Sequence, residues 1–99
     1  MVVPNSPQYR VATTAHFERL LKKLAAKHPD LAERFEEAIA VLSADPYNRT
    51  RRHPIKKLEG VPPGQGQYRL RSGRYRFRYD IESLDVVLLY CGLRREDTY

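Results

Sequence analysis

Apolar and basic residues alternate from Tyr68 to Arg78 on both sides of Ser72-Gly73, the two-residue period of a half-buried β-hairpin. A turn at Ser72-Gly73 predicts Arg71 opposite Arg74 and Arg69 opposite Arg76. Tyr68 and Leu70 then meet Phe77 and Tyr75 on the other, core-side face. Upstream, residues 8–13 alternate weakly and predict a short first strand. Phe17, Leu20, Leu21 and Leu24 follow at helical spacing behind a Thr13 or Thr14 cap. His28-Pro29-Asp30 interrupts that period, and Asp30 with Glu33 has the spacing of a capping box. The second predicted helix turns Leu31, Phe35, Ala38, Ile39 and Leu42 to one side and ends at Asp45-Pro46. Residues 45–66 hold four prolines and three glycines and predict a long irregular connection. After a turn at Glu82-Ser83, Val86–Cys91 is unbroken apolar sequence, predicting a central strand buried on both faces and ended by Gly92.

The predicted order is β-α-α-β-β-β, an α+β fold. It gives a small, mainly antiparallel sheet with a helical hairpin packed on one face and the arginines on the other. Ninety-nine residues suit one domain spanning residues 1–99. No apolar run is long enough to span a bilayer and no signal-peptide pattern is present, which predicts a soluble, cytoplasmic protein. Cys91 is the lone cysteine, and no Cys/His spacing reads as a metal site, so neither metal nor cofactor is expected.

Charge divides the chain. Residues 1–48 carry six basic and six acidic side chains, and residues 49–99 carry twelve and six, so the β half holds the whole net +6. Like charges facing each other across a hairpin are destabilising. Arginines gathered on one sheet face therefore point to an anionic ligand, and the planar guanidinium fits phosphate best.

The stretch Gly66–Ile81 and the tail Gly92–Tyr99 resemble the RelE/ParE toxin superfamily of type II toxin–antitoxin modules. Asp45-Pro46 and Lys57-Leu58-Glu59-Gly60 fit the same pattern, so the resemblance covers nearly the whole chain. It implies a RelE-like fold, akin to the microbial ribonucleases. For the RelE-like branch it implies an endoribonuclease, an mRNA interferase that cleaves mRNA in the ribosomal A site without a metal. The catalytic set implied by the motif falls on Arg69, Arg71, Arg76, Arg94 and Tyr99. Arg74, Arg78, Lys56, Lys57 and Arg95 are the expected RNA-binding residues. The expected partners are a cognate antitoxin, mRNA and the ribosome with its rRNA, with operator DNA bound only through the antitoxin complex. Arginine stands at 69 and 71 where ribosome-dependent members often carry lysine, and Leu93 stands where others carry histidine. The alternatives are a ParE-like, non-enzymatic inhibitor of DNA gyrase, and a degenerate homologue that only binds its antitoxin.

RNA cleavage needs a base for the 2′-hydroxyl, donors for the phosphorane oxygens and an acid for the departing 5′-oxygen. Arginine serves the second task and not the first, because guanidinium stays protonated. No general base is evident in this set: Tyr99 can serve as base or acid only where neighbouring arginines lower its pKa, and a base-stacking role competes with that one. Tyr68, Tyr75, Phe77 and Tyr79 read as core, Tyr47 and Tyr90 are less constrained, and Cys91 reads as a small buried residue. His16, His28 and His53 lack partners at meaningful spacing, and Lys22, Lys23 and Lys27 read as an exposed helix face.

Overall fold

A computed structural model of the chain describes residues 8–94. Among these residues two helices and five strands run in the order β1 (Arg10–Thr13), α1 (Ala15–Ala25), α2 (Leu31–Ala44), β2 (Ile55–Lys57), β3 (Tyr68–Ser72), β4 (Tyr75–Glu82) and β5 (Asp85–Leu93). The strands form one sheet ordered β1-β5-β4-β3-β2, with β1 parallel to β5 and the other pairs antiparallel. The fold is α+β as expected, with one strand more. The proline-rich connection contains β2, which pairs with β3 at the sheet edge. Its three residues are too few to display a period, and the exposed lysines at 56 and 57 suit an edge that must not pair with another chain.

Local chemistry sets the helix boundaries. Thr14 Oγ1 accepts a hydrogen bond from the Phe17 amide at 3.0 Å and caps α1. Asp30 precedes α2 without making the capping bond that its spacing with Glu33 suggests. Its carboxylate instead accepts the Tyr75 hydroxyl at 2.6 Å and Arg74 Nη2 at 3.2 Å. That hydrogen bond from Tyr75 holds Asp30 below the usual carboxylate range. Past α2, Asp45 accepts from the Arg49 amide at 2.8 Å and the Thr50 hydroxyl at 2.7 Å, folding the chain back.

Both helices cover one face of the sheet. Phe17, Leu31, Ala38 and Leu42 pack there with Leu70, Tyr75, Phe77, Tyr79, Val86, Leu88 and Cys91 in one buried cluster. The Phe17, Phe35 and Phe77 rings lie 5.7–6.5 Å apart in tilted contacts, joining α1, α2 and β4. Tyr79 is fully buried and its hydroxyl donates to the Pro46 carbonyl at 2.7 Å. Burial pushes the Cys91 thiol up to about 12, which keeps it neutral and inert. The aromatic residues expected in the core are there, with Tyr68 half-buried at its margin and stacked on Tyr79.

The hairpin register differs from the expected one. The turn is Gly73-Arg74, so Ser72 pairs with Tyr75, Arg71 with Arg76, Leu70 with Phe77, Arg69 with Arg78 and Tyr68 with Tyr79. Gly73 has φ +60°, which suits the glycine-first pattern of a type II′ connection. β5 is interior, between β1 and β4, but is not buried on both faces. Val87, Leu89 and Tyr90 are only half-buried, and Gly92 continues the strand instead of ending it. No helix among the described residues is long and apolar enough to cross a membrane.

Candidate functional site

Pairing places residues on the face away from the helices in two cross-strand rows. The first runs Lys56, Arg69, Arg78 and Tyr90 across β2, β3, β4 and β5. The second runs Arg71, Arg76 and Gly92. Four arginines thus share the face and oppose each other in pairs. Each like-charged pair by itself works against folding. The Nε of Arg69 is buried and has no hydrogen-bond acceptor among the described residues, and an unmet buried donor costs about 1–3 kcal/mol.

The expected residues are not all in this array. Arg94 lies one residue beyond β5, where its amide donates to the Arg74 carbonyl at 2.8 Å. Arg74, Arg76, Leu93 and Arg94 line an open cleft of about 740 Å3. Arg74 belongs to the turn and not to the strand face. Its guanidinium reaches to the helix side, 3.2 Å from Asp30 and 3.3 Å from the Tyr75 hydroxyl, because the two-residue turn swings it off the ladder. Lys57 parts from Lys56: it faces Tyr68 across the ladder, with Nζ 5.7 Å from that ring. Both lysines line a second cleft, of about 640 Å3, together with Arg78 and the loop after β2. Tyr99 and Arg95 lie outside the described residues.

Two groups strap that loop over β4. Arg78 donates from Nε and Nη2 to the Gly66 carbonyl at 3.2 and 2.9 Å. Asp80, buried on the same face, accepts from the Gly64 and Gln67 amides at 2.6 and 2.8 Å. Gly66 has φ +83°, and a Cβ there would lie 3.0 Å from Arg78 Cβ, so the close approach requires glycine. Part of Arg78's donor fork therefore holds the site's rim. Asp80 had no signal in the sequence pattern, since its partners are backbone amides 13 and 16 residues away. His53 also has a distant acidic neighbour, with Nε2 3.9 Å from Asp45 Oδ2.

No family model and no curated protein matches the chain. Two solved structures do. A chain of the archaeal RelE–RelB complex from Pyrococcus horikoshii superposes with a TM-score of 0.64 at 28% identity, covering 88% of this chain and 96% of that one. A chain of the toxin–antitoxin complex RelBE2 from Mycobacterium tuberculosis gives 0.67 at 31% identity, covering 90% of this chain and all of that one. With that identity over that length, the chain belongs to the RelE toxin superfamily.

Proposed function

We propose that the protein is the toxin of a type II toxin–antitoxin module, held by a cognate antitoxin, and that it cleaves mRNA in the ribosomal A site. The observation that carries this reading is the pairing of Arg71 with Arg76 and of Arg69 with Arg78 on the face away from the helices, beside the cleft that Arg76 shares with Arg94. The 2′-hydroxyl gives its proton to solvent as its oxygen attacks the adjacent phosphorus, the bond from phosphorus to the 5′-oxygen breaks, and charge gathers on the nonbridging oxygens. Forked donors on Arg76 and Arg94 hold that charge as it develops, and Arg69 and Arg71 orient the backbone on either side. Lys56, in the row of Arg69 and Arg78, contacts RNA phosphates flanking the cut. Catalysis is mainly by orientation and electrostatics, with the positive charge supplied by side chains instead of a metal. A net charge of +6 favours approach to ribosomal RNA and to acidic antitoxin segments alike.

Brief induction in cells, followed by primer extension on an abundant message, tests the reading. The expected result is codon-phased cuts that disappear when translation initiation is blocked. Intact mRNA with arrested replication would replace this reading with gyrase inhibition. Intact mRNA and normal growth, with antitoxin binding retained, would leave a degenerate toxin.

A further inference from the structure

β5 carries an irregularity that changes which face a tyrosine meets. Val86 and Leu88 are fully buried in the core, and strict alternation would send Tyr90 there after them. A β-bulge intervenes: Leu88 pairs with Tyr79, Tyr90 pairs with Arg78, and Leu89 is left over. Cys91, paired with Phe77, takes the core position, and Tyr90 is turned to the arginine face. Bulges beside active sites commonly re-aim a side chain in this way. A second backbone feature then directs the ring. A Cβ at Gly92 would lie 2.9 Å from Tyr90 Cζ and 3.2 Å from Cε2, so the phenol end occupies space that only glycine leaves open. Gly92 is the cross-strand partner of Arg76. The ring thus starts in the Arg78 row and delivers its hydroxyl into the Arg71–Arg76 row.

We propose that Tyr90 is a catalytic residue whose hydroxyl gives its proton to the departing 5′-oxygen at the phosphate held by Arg76. This rests on the endoribonuclease reading above. In the step, the bond from phosphorus to the 5′-oxygen breaks and that oxygen takes the phenolic proton, leaving a 5′-hydroxyl on the downstream fragment. The 2′-oxygen, its proton lost to solvent, forms the new bond to phosphorus, so the upstream fragment ends in a 2′,3′-cyclic phosphate. The phenolate left behind belongs to a residue paired with Arg78 and two positions from Arg76's partner Gly92, where positive charge suits it, and solvent reprotonates it. This gives the guanidinium array the neutral proton donor that arginine cannot be.

The test measures single-turnover cleavage of a short mRNA on programmed ribosomes by the full-length protein, Tyr90→Phe and Arg76→Ala. Two substrates are used: the natural one, and one with sulfur in place of the bridging 5′-oxygen at the cleaved bond. A thiolate leaves without needing a proton. Tyr90→Phe keeps the ring over Gly92 and loses only the hydroxyl, and it should cut the natural substrate roughly 10²-fold more slowly. On the sulfur substrate it should match the wild type, whereas Arg76→Ala stays slow on both. Gly92→Ala, which displaces the ring, should slow the natural substrate as Tyr90→Phe does while unfolding at an unchanged denaturant midpoint. Wild-type cleavage of the natural substrate by Tyr90→Phe overturns the proposal alone, as does an equal loss on both substrates. Failure of the wild-type protein to cut either substrate overturns the endoribonuclease reading itself.

Discussion

The two faces of the β3–β4 hairpin are built from alternate residues of one short segment and serve opposite ends. On the helix side, Tyr75, Phe77 and Tyr79 are fully buried, and each polar tip is satisfied: the Tyr75 hydroxyl by Asp30, the Tyr79 hydroxyl by the Pro46 carbonyl. On the other side, Arg71 faces Arg76 and Arg69 faces Arg78, like charge against like. The first face stabilises the fold. The second sets like charges in pairs that by themselves work against folding and that suit an anionic ligand. Stability and activity should therefore separate by face, even between sequence neighbours such as Arg76 and Phe77.

The largest effect on stability should come from Phe77→Ala, which removes a ring packed against Phe17 and Phe35 and should cost about 3–5 kcal/mol in denaturant unfolding. Tyr79→Phe keeps the ring but strands the buried Pro46 carbonyl, and should cost about 1–3 kcal/mol. Arg71→Thr, on the opposite face, should move the midpoint the other way, gaining about 0.2–1 kcal/mol by relieving Arg76, while weakening RNA binding. Smallest is Asp30→Asn. Because the folded protein holds this carboxyl below its ordinary value of 3.8, its contribution is present above that pH and fades as pH falls through the lowered value. Wild type and variant should accordingly differ most near neutrality and converge in acid, as read from unfolding curves across that range.

Much of this was legible in the chain because each face announces itself by period. The alternation Tyr-Arg-Leu-Arg and Tyr-Arg-Phe-Arg assigned arginines and aromatics to opposite sides correctly even though the register was displaced. Arg71 pairs with Arg76 and not with Arg74, a shift of two residues in partner, and a shift of two leaves every side chain on the same face. Pattern alone cannot distinguish the two registers. The turn decides it: Ser72 pairs with Tyr75, which leaves Gly73 at the first turn position with its φ of +60°. Asp30 misled for a different reason: its spacing to Glu33 is local, but its partners Tyr75 and Arg74 lie 45 and 44 residues away. β2 was hidden by its length. Tyr90 was hidden because Val86–Cys91 is continuously apolar, so nothing in the residues marks the bulge at Leu89 that reverses the alternation. The only visible signal was a tyrosine two positions before a glycine in a strand.

The comparison of faces is tested most directly by Arg76→Ala, measured twice on one preparation: cleavage of mRNA on programmed ribosomes and denaturant unfolding. We expect the cleavage rate to fall on the order of 10²–10³-fold, as for other single donors to a developing oxyanion, with the unfolding midpoint unchanged or slightly raised. A variant that folds as the wild type does and still cleaves at the wild-type rate would contradict the assignment of the arginine face to catalysis.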